Sequence, residues 1–144
     1  MNVINKEQLR MLDIDDTIVM HRSKHGSAAL GSAERWLELQ ELATRQYVSL
    51  IDRITGNVIE LEINKNMVRL VKEEHHRGAT IIVWSRGGYE WAADVITALG
   101  LQDYVHTVMS KPLVYFDDKP VTEWLTDRVY IGPDANYKSN TYKA

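Results

Sequence analysis

Asp13, Asp15 and Asp16 crowd into the stretch "MLDIDDTIV", residues 11–19, directly after an apolar run. Like charges that close repel each other, so packing alone gives no reason to gather them. Three further polar groups close apolar segments in the same way. Ser85 ends "TIIVWS" (80–85), Lys111 follows "VHTVMS" (105–110), and Asp117 and Asp118 end "LVYFDD" (113–118). Singly, an aspartate pair at a strand end is a turn or a helix cap, and a lone serine or lysine in a loop is bland. Together, at equivalent ends of successive segments, they point to chemistry. Carboxylates converging on one edge need a cation among them. Mg²⁺ takes oxygen ligands, one or two carboxylates with several waters, beside a substrate phosphate. The chain has no cysteine, and no close histidine pair adjoins the acids, so zinc is a poor candidate. The Ser85 hydroxyl and the Lys111 ammonium suit phosphoryl oxygens, whose charge must be held during transfer.

The elements that must position these groups follow from periodicity. Strands are predicted at 9–14, 80–85, 105–110, 113–118 and 128–131. The second is a near-continuous apolar run, as in a strand buried on both faces. A helix is predicted from Asn64 to His76, with Asn64 as N-cap, Met67, Leu70 and Val71 as its apolar stripe and Gly78 as its stop. Another runs from Tyr89 to Leu99, and a short third from Pro120 to Leu125. Alternating strands and helices predict an α/β fold with a doubly wound parallel sheet. Ligands bind such sheets outside the carboxyl ends of the strands. Asp13, Asp15, Thr17, Ser85, Lys111, Asp117 and Asp118 all fall at that edge.

Residues 18–63 interrupt the alternation. "YVSLIDRI" and "VIELEI" flank Thr55-Gly56-Asn57 and predict a hairpin. Ile59, Leu61 and Ile63 alternate with Glu60 and Glu62, the pattern of a half-buried strand. The earlier part reads as a loop leading into a short helix near Ala33–Leu42, and the insert as a small flap over the site.

The 144 residues predict one domain: a core of about 8–17 and 64–132, the flap insert of 18–63 and a polar, loosely ordered tail of 133–144. Net charge is −3 and the hydrophobic fraction 44%, which lacks the basic excess of a dedicated nucleic-acid binder. The polar N-terminus is not a signal peptide, no apolar run approaches a membrane span, and the absence of cysteine fits a reducing compartment. The expectation is a cytoplasmic protein with no membrane partner.

At its acidic and polar segments the chain resembles the haloacid dehalogenase-like (HAD) phosphohydrolases. D-I-D-D-T at 13–17 matches their DxDxT signature, "IIVWS" their second motif, Lys111 in "MSKP" their third-motif lysine and "VYFDD" their acidic fourth motif. The resemblance covers roughly residues 8–132. "VWSRGGYEWA" and "YFDDKPVTEW" further resemble small stand-alone members often encoded by bacteriophages. The resemblance implies a Rossmann-like core and a Mg²⁺-dependent phosphatase that hydrolyses a phosphate monoester through an aspartyl-phosphate. Asp13 would be the nucleophile. Asp15 would protonate the leaving oxygen and then take a proton from water. Mg²⁺ would be held by Asp13, the Asp15 backbone carbonyl and Asp117, with Asp118 acting through water or orienting Lys111. Ser85 and Lys111 would hold the phosphoryl oxygens, and Thr17 would brace the loop. Asp15 sets the chain apart from the haloacid dehalogenases themselves, and it has no room for the extra domains of P-type ATPases. Asp16 stands where many members carry glycine.

Several residues remain to be weighed. Arg86, just after Ser85, would grip a second anionic group on the substrate or be a solvated loop arginine. Gly87 and Gly88 would let the backbone turn close to a ligand. Trp84, Trp91 and Trp124 read as packing aromatics, and His75 and His76 as cations favoured at a helix C-terminus. His21, Arg22, Lys24 and His25 form a basic stretch, either an exposed loop or a flap that meets an anionic substrate. The expected partner is a small phosphorylated metabolite or nucleotide, with a nucleic-acid end as the alternative, which would make the activity a 3′-phosphatase. A non-catalytic module binding a phosphorylated ligand is the rival from outside enzymology. A small lid is compatible with a monomer or a homodimer.

Overall fold

A computed structural model describes residues 8–21, 45–125, 127–131 and 137–139. The expected helix near Ala33–Leu42, and Arg22, Lys24 and His25, lie outside the described residues.

Among the described residues the molecule is an α/β protein built on a three-stranded parallel sheet and two helices. Strands β1 (Leu9–Asp13), β5 (Thr80–Ser85) and β6 (Thr107–Ser110) lie in the order β1-β5-β6. Asp13 pairs with Trp84, and Trp84 and Ser85 pair with Met109 and Ser110. The carboxyl ends of all three strands therefore finish level. Helix α1 (Lys65–His76) begins where expected, because the Asn64 side chain accepts the amide of Met67, the N-cap bond that satisfies an orphan donor of the first turn. Helix α2 (Tyr89–Ala98) starts directly after Gly88, whose φ of 100° lies in the left-handed region that glycine adopts without strain.

The described part of the insert packs on the core as a sheet. Strands β2 (Val19–Met20), β3 (Tyr47–Ile51) and β4 (Val58–Ile63) form an antiparallel sheet in the order β2-β4-β3. The hairpin at 55–57 is as the turn residues predict. Its buried Val19, Leu50 and Leu61 join Leu12, Ile14, Met67, Val71, Ile81, Val83, Ala92, Val95 and Ile96 in one core cluster. Both sheets and both helices thus share a single apolar interior. Glu62, expected on a solvent face, is buried; Met20 pairs beside it and Arg45 Nε meets its Oε1 at 3.0 Å.

Three expectations need correction. Residues 113–118 form no strand. Leu113, Val114 and Phe116 are 79%, 71% and 96% exposed, so the apolar run that reads as a buried strand has no neighbour covering it. Among the described strands β1 is therefore an edge of the sheet, and Leu9 and Met11 are exposed on it. Strand β7 (Val129–Ile131) does not extend the parallel sheet. It pairs antiparallel with β8 (Tyr137–Ser139) in a separate two-stranded sheet, a local pairing whose short loop costs less to close than a long crossover. Part of the tail is thereby ordered. The segment after Pro120 is a single 3₁₀ turn, Val121–Glu123, rather than an α-helix, and Trp124 is exposed instead of packed. No helix among the described residues is long and apolar enough to cross a membrane.

Candidate functional site at the carboxyl edge of the parallel sheet

Residues 14–19 form a tight turn that lifts the second aspartate off β1. The amides of Thr17, Ile18 and Val19 all donate to the Ile14 carbonyl, at 3.2, 3.0 and 3.3 Å. Ile14, Ile18 and Val19 are fully buried, so the turn is anchored from below while Asp13, Asp15 and Thr17 stay half-exposed above. Asn64 holds the turn from the other side: its Nδ2 donates to the Thr17 carbonyl at 2.8 Å and its amide to the Ile18 carbonyl at 2.9 Å.

Asp16 takes no part in the cluster. Among the described residues it is the non-glycine one with positive φ, 57°, and its Oδ1 accepts the amide of His21 at 3.1 Å. Aspartate tolerates this left-handed conformation better than most residues because its short side chain bonds locally. The exposed Asp16 carboxylate thus serves as a backbone cap.

Around Asp13 and Asp15 the expected partners assemble. Thr17 Oγ1 donates to Asp13 Oδ2 at 3.3 Å, and Lys111 Nζ lies 3.9 Å from Asp13 Oδ1. Lys111 also sits 5.5 Å above the Trp84 ring, a face that attracts a cation. Its backbone is fixed by its own N–H, which donates a hydrogen bond to the Ser85 carbonyl at 2.8 Å. Ser85, fully buried at the end of β5, donates its hydroxyl to Asp15 Oδ2 at 3.3 Å and accepts the Gly87 amide at 3.0 Å. One serine therefore links both carboxylates, through its carbonyl to Lys111 and through its hydroxyl to Asp15.

Two neighbours of Asp15 escaped the sequence reading. The Trp91 indole N–H donates to Oδ1 and Oδ2 at 3.0 and 3.2 Å, so this tryptophan is more than packing. His21 Nε2 lies 2.8 Å from Oδ1. The first histidine of the basic stretch thus meets the acid itself. Trp91 is 76 positions from Asp15, and no local signal announces that contact. Arg86 is exposed at the same edge, and no hydrogen bond or ion pair engages its guanidinium among the described residues.

Asp117 and Asp118 are not brought in. Both are exposed, and among the described residues no side-chain bond joins them to Asp13 or Asp15. Asp117 is held below the ordinary carboxyl range by a hydrogen bond shared with Asp118 and by the Lys119 amide, 3.2 Å away. Among the described residues no three histidine, aspartate or glutamate side chains converge to hold a metal. Asp13 and Asp15 still offer the donor type and number that Mg²⁺ takes beside a phosphate.

No family model, curated protein or solved structure matches this chain. The chemistry must be argued from the site.

Proposed function

We propose that the chain is a Mg²⁺-dependent phosphomonoesterase with a HAD-like, Rossmann-type core. The observation that carries this reading is the convergence of Asp13, Asp15, Ser85 and Lys111 on one edge, with the lysine 3.9 Å from the first carboxylate and the serine bonded to the second. These four come from three separate strand ends. A binding module would need the lysine and the serine but has no use for a second carboxylate held among donors.

In this reading Asp13 attacks phosphorus in line. The bond to the leaving oxygen breaks as Asp15 gives that oxygen a proton. Asp15 then takes a proton from water, which attacks the aspartyl-phosphate and releases inorganic phosphate. Lys111 and Ser85 turn from the carboxylates they now touch to the phosphoryl oxygens. Asp13 and the Asp15 carbonyl would hold Mg²⁺, which offsets charge between nucleophile and phosphate.

The finer fold assignment requires a fourth strand. Two features support it: the side of β1 away from β5, which pairs with no strand among the described residues, and the exposed, β-prone run Leu113–Phe116. An unpaired strand edge and an apolar run left in water each favour pairing. Docked there, the run would carry Asp117 and Asp118 toward Asp13 and complete the acidic set.

Hydrolysis of p-nitrophenyl phosphate with Mg²⁺, and its loss on chelation, tests the activity. Release of nitrophenolate above background is expected; none at any metal concentration would remove the reading. Rates on nucleoside monophosphates against 3′-phosphorylated oligonucleotides then separate the two substrate classes.

A further inference from the structure

We propose that Trp91 is a positioning residue that fixes the orientation of the Asp15 carboxyl. The inference rests on the acid–base role proposed for Asp15 above. The last torsion of an aspartate side chain is broad and roughly two-fold, so the chain itself does not aim the carboxyl; its neighbours must. Among the described residues three neighbours are in reach. His21 meets Oδ1 and Ser85 meets Oδ2, each holding one oxygen. Trp91 alone spans both, at 3.0 and 3.2 Å. A single N–H shared between two oxygens sets the rotation of the whole group. Ser85 is also the hydroxyl that a phosphoryl group would draw away, which leaves the indole as the contact that holds Oδ2 during turnover. Indole is a donor only, so it holds the carboxyl without competing for the proton in transit.

The surroundings are built to seat this ring. Trp91 stands in the first turn of α2, whose start is pinned by the Tyr89 amide donating to Ser110 Oγ at 3.0 Å. Beneath the ring lies Gly87. A β-carbon there would stand 3.0 Å from Trp91 Cδ1 and 3.3 Å from Ser85 Oγ, closer than ordinary van der Waals contact. Gly87 lacks a side chain, on this account, because the indole occupies its place.

The test is leaving-group dependence in the full chain. Nitrophenolate departs with little need of a proton, whereas an alkoxide needs one. Trp91→Phe keeps the ring and removes the N–H. It is expected to lower kcat/KM on a simple alkyl phosphate on the order of tenfold and to leave kcat/KM on p-nitrophenyl phosphate within about twofold, because kcat/KM reports leaving-group departure whereas kcat also carries the hydrolysis step that both esters share. Trp91→Leu, which also removes the N–H, is expected to show the same selectivity in kcat/KM, and decides the matter should Trp91→Phe fail to fold. A general structural role would lower both substrates alike. Equal losses, or no loss on either, overturn the positioning role while wild-type turnover leaves the phosphatase reading standing. Failure of the wild type to hydrolyse either ester overturns that reading, and this inference with it.

Discussion

Asp16 shows how a residue outside the reaction can still shape the site. Its φ of 57° lets the chain double back so that its carboxylate caps His21, and His21 in turn reaches Asp15. Glycine would relax the backbone but lose the cap; alanine would lose the cap and keep the strain. Asp16→Ala is therefore expected to be less stable than Asp16→Gly by about 1 kcal/mol, read from chemical unfolding of the two variants. The DxDxT spacing, Ser85 and Lys111 were legible because each closes an apolar run, and that is a local pattern. Trp91 and His21 were not legible as partners of Asp15. Trp91 in sequence is one aromatic of an amphipathic helix, and only the folding of α2 against the end of β5 brings its edge to the acid.

The elements were readable to the degree that their signals are local. The Asn64 cap, the α2 start after Gly88 and the hairpin at Gly56 all arise from contacts a few residues long. Asn64 does more than cap: its side chain and amide both hold the turn that carries Asp15. Asn64→Ala is expected to cost about 1–2 kcal/mol, with activity falling beyond what stability explains; a change in stability alone would mean that the turn holds itself. The hairpin is tied to α2 by Arg53, which makes a paired contact with Asp94 at 2.8 and 2.9 Å and a third with Glu90 at 3.3 Å. Hydrogen bonding to Arg53 depresses the Asp94 carboxyl. A depressed carboxyl contributes above its unfolded value, about 3.9, and that contribution is lost as pH falls through the folded value. Faster amide exchange in the hairpin of Arg53→Ala than of wild type is expected near neutral pH. The difference should shrink in high salt and vanish well below about pH 4; a difference that persists in acid would show that the tether is not this ion pair.

At the scale of the whole molecule, strand order is what the sequence does not spell out. "LVYFDD" has the composition of a buried strand, yet pairing with β1 would be non-local, and composition cannot specify a partner. The same limit explains β7, whose apolar "RVYI" fits a parallel strand and an antiparallel hairpin equally well. Among the described residues the sheet thus ends at β1, while Leu113, Val114, Tyr115 and Phe116 stay exposed. If the proposed fourth strand forms, the amides of Val114–Phe116 exchange slowly and Asp117→Asn raises the Mg²⁺ concentration needed for turnover. Exchange at the rate of open chain, with unchanged metal demand, would leave Asp117 and Asp118 outside the site and the three-stranded sheet complete as it stands. The central claim, that Asp13 takes the phosphoryl group, is tested most directly by comparing wild type with Asp13→Asn on p-nitrophenyl phosphate in Mg²⁺. The account predicts turnover in the wild type and a loss of at least about a thousandfold in the variant, with its unfolding transition unchanged or raised by relief of carboxylate repulsion. Undiminished hydrolysis by Asp13→Asn would contradict it.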